Sequence, residues 1–309
     1  MAAEGSTRAV VAAMLANGGL AVAKFIGYGI TGSSSMLAEA VHSVADTSNQ
    51  GLLLLGMRTS KRVASQQHPF GYGRDRYFYS FIVALLLFSL GSVFALYEGI
   101  HKLESSEALT SPLVAVVILV VGLVLESFSL RTAVLESAKV KGDASWWQFI
   151  RQATTPELPV VLLEDIGALL GLVLALGGVG FSVLTGDPIW DAFGTIGIGL
   201  LLGVIAIILI IETKSLLIGE GARPAELRVI TDALVGGEVQ RVIHIKTQYV
   251  GPDELLVAAK IAVAASLPSA DVVRAIDEAE SRVRDAVPQA RMIYLEPDLD
   301  RTPSEAPAR

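Results

Sequence analysis

Apolar residues crowd six stretches of the first 218 positions, roughly Thr7–Ile30, Ser35–Met57, Tyr77–His101, Pro112–Glu136, Glu157–Leu184 and Pro188–Ile218. Each reaches the length of about 20 residues that a helix needs to cross a hydrocarbon core. Gly32, Ser33 and Ser34 leave room only for a tight turn, so the first two helices are expected to form an antiparallel hairpin. Past Gly219-Glu220-Gly221 the pattern changes. Pro224–Val235 reads as a short helix and Gln240–Val250 as a strand. Gly251-Pro252-Asp253 makes a turn into a second strand, Glu254–Ala264. Ser269 reads as the N-cap of an amphipathic helix to Val287, and Ala290–Glu296 as a last strand. The pattern thus predicts an all-α six-helix transmembrane domain over 1–218. A small α+β domain of order α-β-β-α-β follows over 219–297, two layers deep. The tail 298–309, rich in proline and charge, is expected to be disordered.

Composition sharpens this picture only locally. Charged residues make up 18% of the chain, below the quarter or so of a soluble domain, and the deficit lies in the apolar stretches. The net charge of −7 therefore describes mainly the C-terminal part. No basic cluster with interleaved aromatics suggests a nucleic-acid partner. The absence of cysteine excludes disulfides, thiolate metal sites and cysteine nucleophiles.

Basic residues set the expected orientation. Arg58, Lys61, Arg62, Arg74 and Arg76 fall between stretches two and three, and Lys139, Lys141 and Arg151 between four and five. The opposite connections hold Lys102 against Glu104, Glu107 and Asp187. By the positive-inside rule both termini are expected on the cytoplasmic side. No cleaved signal or transit peptide is apparent, so the first span is expected to act as its own insertion signal, in a bacterial plasma membrane.

The candidate chemistry lies inside the apolar stretches. His42 and Asp46 are four residues apart, about 40° around a helix, and Asn49 falls on the same stripe with Gln50 at its edge. The alternative reading, helix-to-helix hydrogen bonding, applies more readily to the amides than to His42 and Asp46, because charge at bilayer depth costs more. Asp165, in Leu162-Leu163-Glu164-Asp165-Ile166, sits about 12 Å into the fifth stretch, and Asp46 about 17 Å into the second from the opposite side. The two can therefore meet near mid-membrane. Glu164 points about 100° away from Asp165 and is a candidate ligand, proton acceptor or helix-interface partner. Lys24 is read as snorkelling or pairing with Glu39, and Glu126 as a structural partner of Arg131 or an outer support for the site. Gly167 with Gly171, and Gly199 with Gly203, have the spacing of close helix packing. His68 in the loop and His244 on a strand are isolated and read as structural.

The run GSSSMLAEAVHSVADTSNQ (residues 32–50) resembles the second-span signature of the cation diffusion facilitators, the family that includes the ZnT zinc carriers. HPFGYG (68–73) is similar to that family's loop after span two, and GDPIWD (186–191) and LLIG (216–219) to its punctuation around span six. The resemblance implies a homodimer in a lipid bilayer that exports divalent cations by exchange with protons. It implies one midplane site, with His42 and Asp46 from span two and Asp165 from span five. Val161 stands where the family has a fourth ligand, leaving Glu164, Asn49 or water to complete the shell. The Glu164-Asp165 doublet and Asn49-Gln50 resemble the branch containing the outlying ZnT-like protein of mitochondria.

The leading expectation is zinc as transported substrate, with no resident cofactor and no enzymatic activity. One imidazole among oxygens would also admit Mn²⁺, Fe²⁺ or Co²⁺. A non-transporting metal sensor or scaffold, and an intramembrane aspartyl hydrolase using Asp46 and Asp165, remain as alternatives. The C-terminal domain, with His244 and no cysteine, lacks the ligands of a closed zinc cluster.

Overall fold

The computed structural model describes the backbone of residues 2–105 and 111–299, and the side chains of residues 14, 17–104 and 111–299. Two compact units emerge. One comprises the described residues up to Arg62 together with Asp75–Lys214; the other comprises Val63–Arg74 and the described residues from Ser215 onwards.

The first unit is helical. Helices α1 (Ala2–Thr31) and α2 (Ser34–Thr59) form the expected hairpin, turned at Gly32 with φ 65°. The leading N–H groups of a helix lack intrahelical acceptors, and here two side chains supply them. Ser33 Oγ accepts from the Met36 amide at 3.2 Å. Asp191, wholly buried, accepts from Ser33 Oγ at 2.9 Å, from the Ser34 amide at 2.9 Å, from Ser34 Oγ at 3.2 Å and from Ser35 Oγ. An anion at a helix N-terminus is favourable on electrostatic grounds as well. Lys102 Nζ donates to Gly32 O at 3.2 Å beside the same turn.

The third apolar stretch is not one uninterrupted α-helix. It runs as α3 (Asp75–Leu86), a π-helical segment (Leu87–Val93) and α4 (Phe94–Ser105). The widened turn coincides with close contacts: Ser92 Oγ donates to Gly199 O at 2.8 Å. A Cβ added at Gly199 would sit 2.9 Å from Leu96 N, and one at Gly203 2.7 Å from Ser92 Oγ, so both glycines are needed for this approach. Next come α5 (Pro112–Lys141), α6 (Trp146–Gln152), α7 (Glu157–Thr185) and α8 (Ile189–Ile218). Helix α6 is absent from the pattern reading because it is too short to show a period. Its signal is a capping box: Ser145 Oγ accepts from the Gln148 amide at 3.2 Å, and Gln148 Oε1 from the Ser145 amide at 3.0 Å.

Among the described residues, four segments are long and apolar enough to cross a membrane: Asp75–Glu104, Pro112–Lys141, Glu157–Thr185 and Ile189–Ile218. Helix α2 has the length but falls outside this group, since Glu39, His42, Asp46, Asn49 and Gln50 lower its mean hydropathy. The unit's core gathers Met36, Leu87, Leu119, Leu172, Ile198 and Leu202, each at most 1% exposed. Arg76 and Glu157 pair through two hydrogen bonds of 2.5 and 2.9 Å, joining the starts of α3 and α7.

The second unit is a two-layer α+β arrangement. Helix α9 (Pro224–Leu234) precedes β1 (Arg241–Gly251) and β2 (Glu254–Val263), and α10 (Ser269–Ala286) leads to β3 (Met292–Leu299). In the order β1-β2-β3, the first pair is antiparallel and the second parallel, so α10 is the crossover that a parallel pair requires. Ile230 and Leu234 of α9 and Ala275, Ala279 and Val283 of α10 pack onto Val257, Ile261 and Ile293 of the sheet. The Tyr249 hydroxyl donates to Glu226 Oε2 at 2.6 Å, tying β1 to α9. Burial, with that carboxylate beside it, pushes the phenol above the usual tyrosine range.

Three details differ from the sequence reading. The N-cap of α10 is Pro268, without a side-chain cap bond, because Ser269 already takes the first helical position. Strand β3 runs beyond Glu296, where Lys260 of β2 bridges Glu296 and Asp298 at 3.0 Å each; Asp298 and Leu299 thus belong to the sheet. The rest of the expected disordered tail, 300–309, lies outside the described residues. Finally, the HPFGYG loop, which the sequence places between the second and third apolar stretches, clusters with the sheet unit. A Cβ at Gly73 would lie 2.7 Å from Val250 O and 2.8 Å from Gly251 Cα, so a glycine is required at this contact with the β1–β2 turn.

Candidate functional site

The polar stripe of α2 faces inward along its length. Glu39, His42, Asp46, Asn49 and Gln50 are all buried, none more than 6% exposed. Helical spacing puts them on one side; α2 packs against α1, α3 and α7, and the stripe meets Lys24 of α1 and Glu164 of α7. His42 Nε2 lies 3.5 Å from Asp46 Oδ2, too far for a good hydrogen bond.

Helix α7 lies against both α2 and α5, and the Glu164-Asp165 doublet divides between them. Glu164 Oε1 accepts from Asn49 Nδ2 of α2 at 2.6 Å. Asp165 Oδ2 accepts from Ser129 Oγ of α5 at 3.0 Å. The 100° between the two side chains is how one helix reaches two neighbours. Glu126 is buried one turn from Ser129, while Arg131 is exposed, so the two do not share an environment.

The candidate ligands thus stand as adjacent pairs: His42 with Asp46, Asn49 with Glu164, and Asp165 with Ser129. Among the described residues, no three of the His, Asp and Glu side chains are close enough as they stand to hold one metal ion. What the pairs leave over is informative. His42 Nδ1, Asp46 Oδ1, Asn49 Oδ1 and Gln50 Oε1 are buried without a hydrogen-bond partner. Such groups are rare in folded proteins because each forfeits its hydration. Here they lie on the inward face of one helix and are of kinds that coordinate divalent cations. Sequence reasoning missed Ser129, whose only signal is its spacing of three from Glu126.

The model of the cation efflux transmembrane domain matches residues 10–218, which include every helix that bears these groups. The chain belongs to the cation efflux, or cation diffusion facilitator, family. That family transports metal ions across membranes. The chain is 37% identical over 244 residues to the mitochondrial proton-coupled zinc antiporter SLC30A9 of Xenopus laevis, over 78% of this chain and 44% of the relative. It is 33% identical over 261 residues to metal tolerance protein C4 of Arabidopsis thaliana, over 83% of this chain and 57% of that one. With the magnetosome protein MamB of a Magnetospira strain it shares 27% identity over 267 residues, 83% of this chain and 85% of the relative. The chain thus spans less than half the length of the antiporter it resembles.

Proposed function

We propose that this chain exports divalent metal cations, zinc foremost, in exchange for protons at a site built on His42, Asp46 and Asp165. The observation that carries this reading is the row of buried, partnerless nitrogen and oxygen atoms on α2, with both ring nitrogens of His42 and Asp46 Oδ1 among them. A dication arriving there replaces lost hydration with coordination. Asn49 and Glu164 are one turn further along, able to complete the shell after a small rearrangement. Zinc leads because it takes imidazole readily with few ligands; manganese, iron and cobalt follow because most donors are oxygen. The name of the antiporter relative points the same way.

The mechanism follows from proton linkage. His42, Asp46 and Asp165 must be deprotonated to coordinate a dication, so metal binding releases protons and protons displace metal. In this reading the chain spans the membrane six times as a homodimer, with both termini cytoplasmic, and α1 and α2 complete the six. Rocking of the helices would open the same site to each side in turn. The test is zinc flux into proteoliposomes. Asp46→Ala and Asp165→Ala should each abolish flux while the protein stays folded, since each removes a charge the dication needs. Wild-type flux in either folded variant would refute the site.

A further inference from the structure

Lys24 of α1 is 1% exposed, where an ammonium group is seldom found without a task. It does not snorkel. Its Nζ points inward and donates to Glu39 Oε2 at 3.0 Å and to Ser43 Oγ at 2.8 Å, both on α2. Glu39 is fully buried and one helical turn from His42 on the same face. Only one of its oxygens is engaged. Glu39 Oε1 is buried and has no hydrogen-bond partner. It rests against α7 at Gly171, where an added Cβ would sit 2.6 Å away, so the bare helix backbone makes room for this carboxylate.

A buried ion pair is weak evidence of stabilisation, because desolvating both charges offsets their attraction. A purely structural pair would also gain from satisfying both carboxylate oxygens. The half-used carboxylate, a hydroxyl and a tethered cation instead have the form of a cation site with a cation already in it. Ser43, which Lys24 Nζ also reaches, follows His42 directly in the chain. In so apolar a setting, an ammonium and a dication one turn apart repel strongly.

We propose that Glu39 and Ser43 form a second cation stop, one turn from the main site toward the α1–α2 turn. The Lys24 ammonium fills it in the empty carrier, and a departing divalent cation takes it over in passing. Glu39 Oε1 is the donor left open for that ion. Lys24 keeps the stop from trapping metal, because the ammonium returns as the ion leaves. This inference rests on the carrier reading above.

The test uses the full-length chain with zinc as the probe, measuring equilibrium binding in detergent and flux in proteoliposomes. Lys24→Gln exposes the stop permanently, so zinc should bind roughly tenfold tighter or more and cross more slowly. The double variant Lys24→Gln/Glu39→Gln replaces the pair by neutral groups of similar shape, and gives a readout even if the single variant does not fold. It should bind zinc as the wild type does, yet transport it several-fold more slowly, since the stop is gone. A folded Lys24→Gln protein with unchanged or weaker zinc binding would overturn the inference alone. So would a double variant that transports at the wild-type rate. A wild-type protein that binds no zinc would overturn the carrier reading, and this inference with it.

Discussion

Among single residues, Asn49 carries more than its neutral side chain suggests. Its amide donates to Glu164 at 2.6 Å between two buried helices, and its own oxygen is left open toward the stripe. Replacing it by leucine would leave the Glu164 carboxylate buried without that donor, a loss of about 1–3 kcal/mol. Asn49→Leu should therefore lower the melting temperature in detergent, and adding Glu164→Leu should restore most of the loss. A single variant that melts like the wild type would show that the bond contributes nothing. The stripe itself was legible in the sequence, because helical periodicity is local and four residues decide whether His42 and Asp46 share a face. The partners of Glu164 and Asp165 were not. Which neighbour each meets depends on how α7 lies between α2 and α5, and no spacing within α7 encodes that.

At the scale of elements, the start of α2 depends on a residue more than 150 positions away. Asp191 of α8 receives the Ser34 amide and three serine hydroxyls, in place of the water that an exposed helix end would use. Asp191→Ala would strand those donors in a buried place and remove the anion at the helix N-terminus, costing at least about 2 kcal/mol. Thermal unfolding should show the loss, with faster hydrogen exchange at residues 34–37. Unchanged exchange there would mean that the serines alone hold the turn. The helices and strands were readable because long apolar runs, capping signals and turn glycines are local. The π-helical segment was not, since Leu87–Val93 looks like any apolar helix and widens only where Ser92 meets Gly199. Lys260 likewise carries β3 to Leu299 through a pairing that lies across the sheet.

For the whole molecule, the polar groups buried along α2 make it less apolar than the four segments that, among the described residues, meet the length and composition of membrane spans. A helix designed only to cross a bilayer would not carry such a stripe. The unit that holds the sheet carries His68 and His244 and no cysteine, fewer nitrogen and sulfur donors than a closed zinc cluster takes. The central claim is that protons and metal exchange at one site, and the direct measurement is zinc entry and lumenal pH recorded together in proteoliposomes with an acidic lumen. The account predicts that zinc enters, that the lumen becomes more alkaline as it does, and that dissipating the proton gradient slows entry. Zinc entry with a flat pH record would contradict exchange, and no zinc entry at all would contradict the carrier.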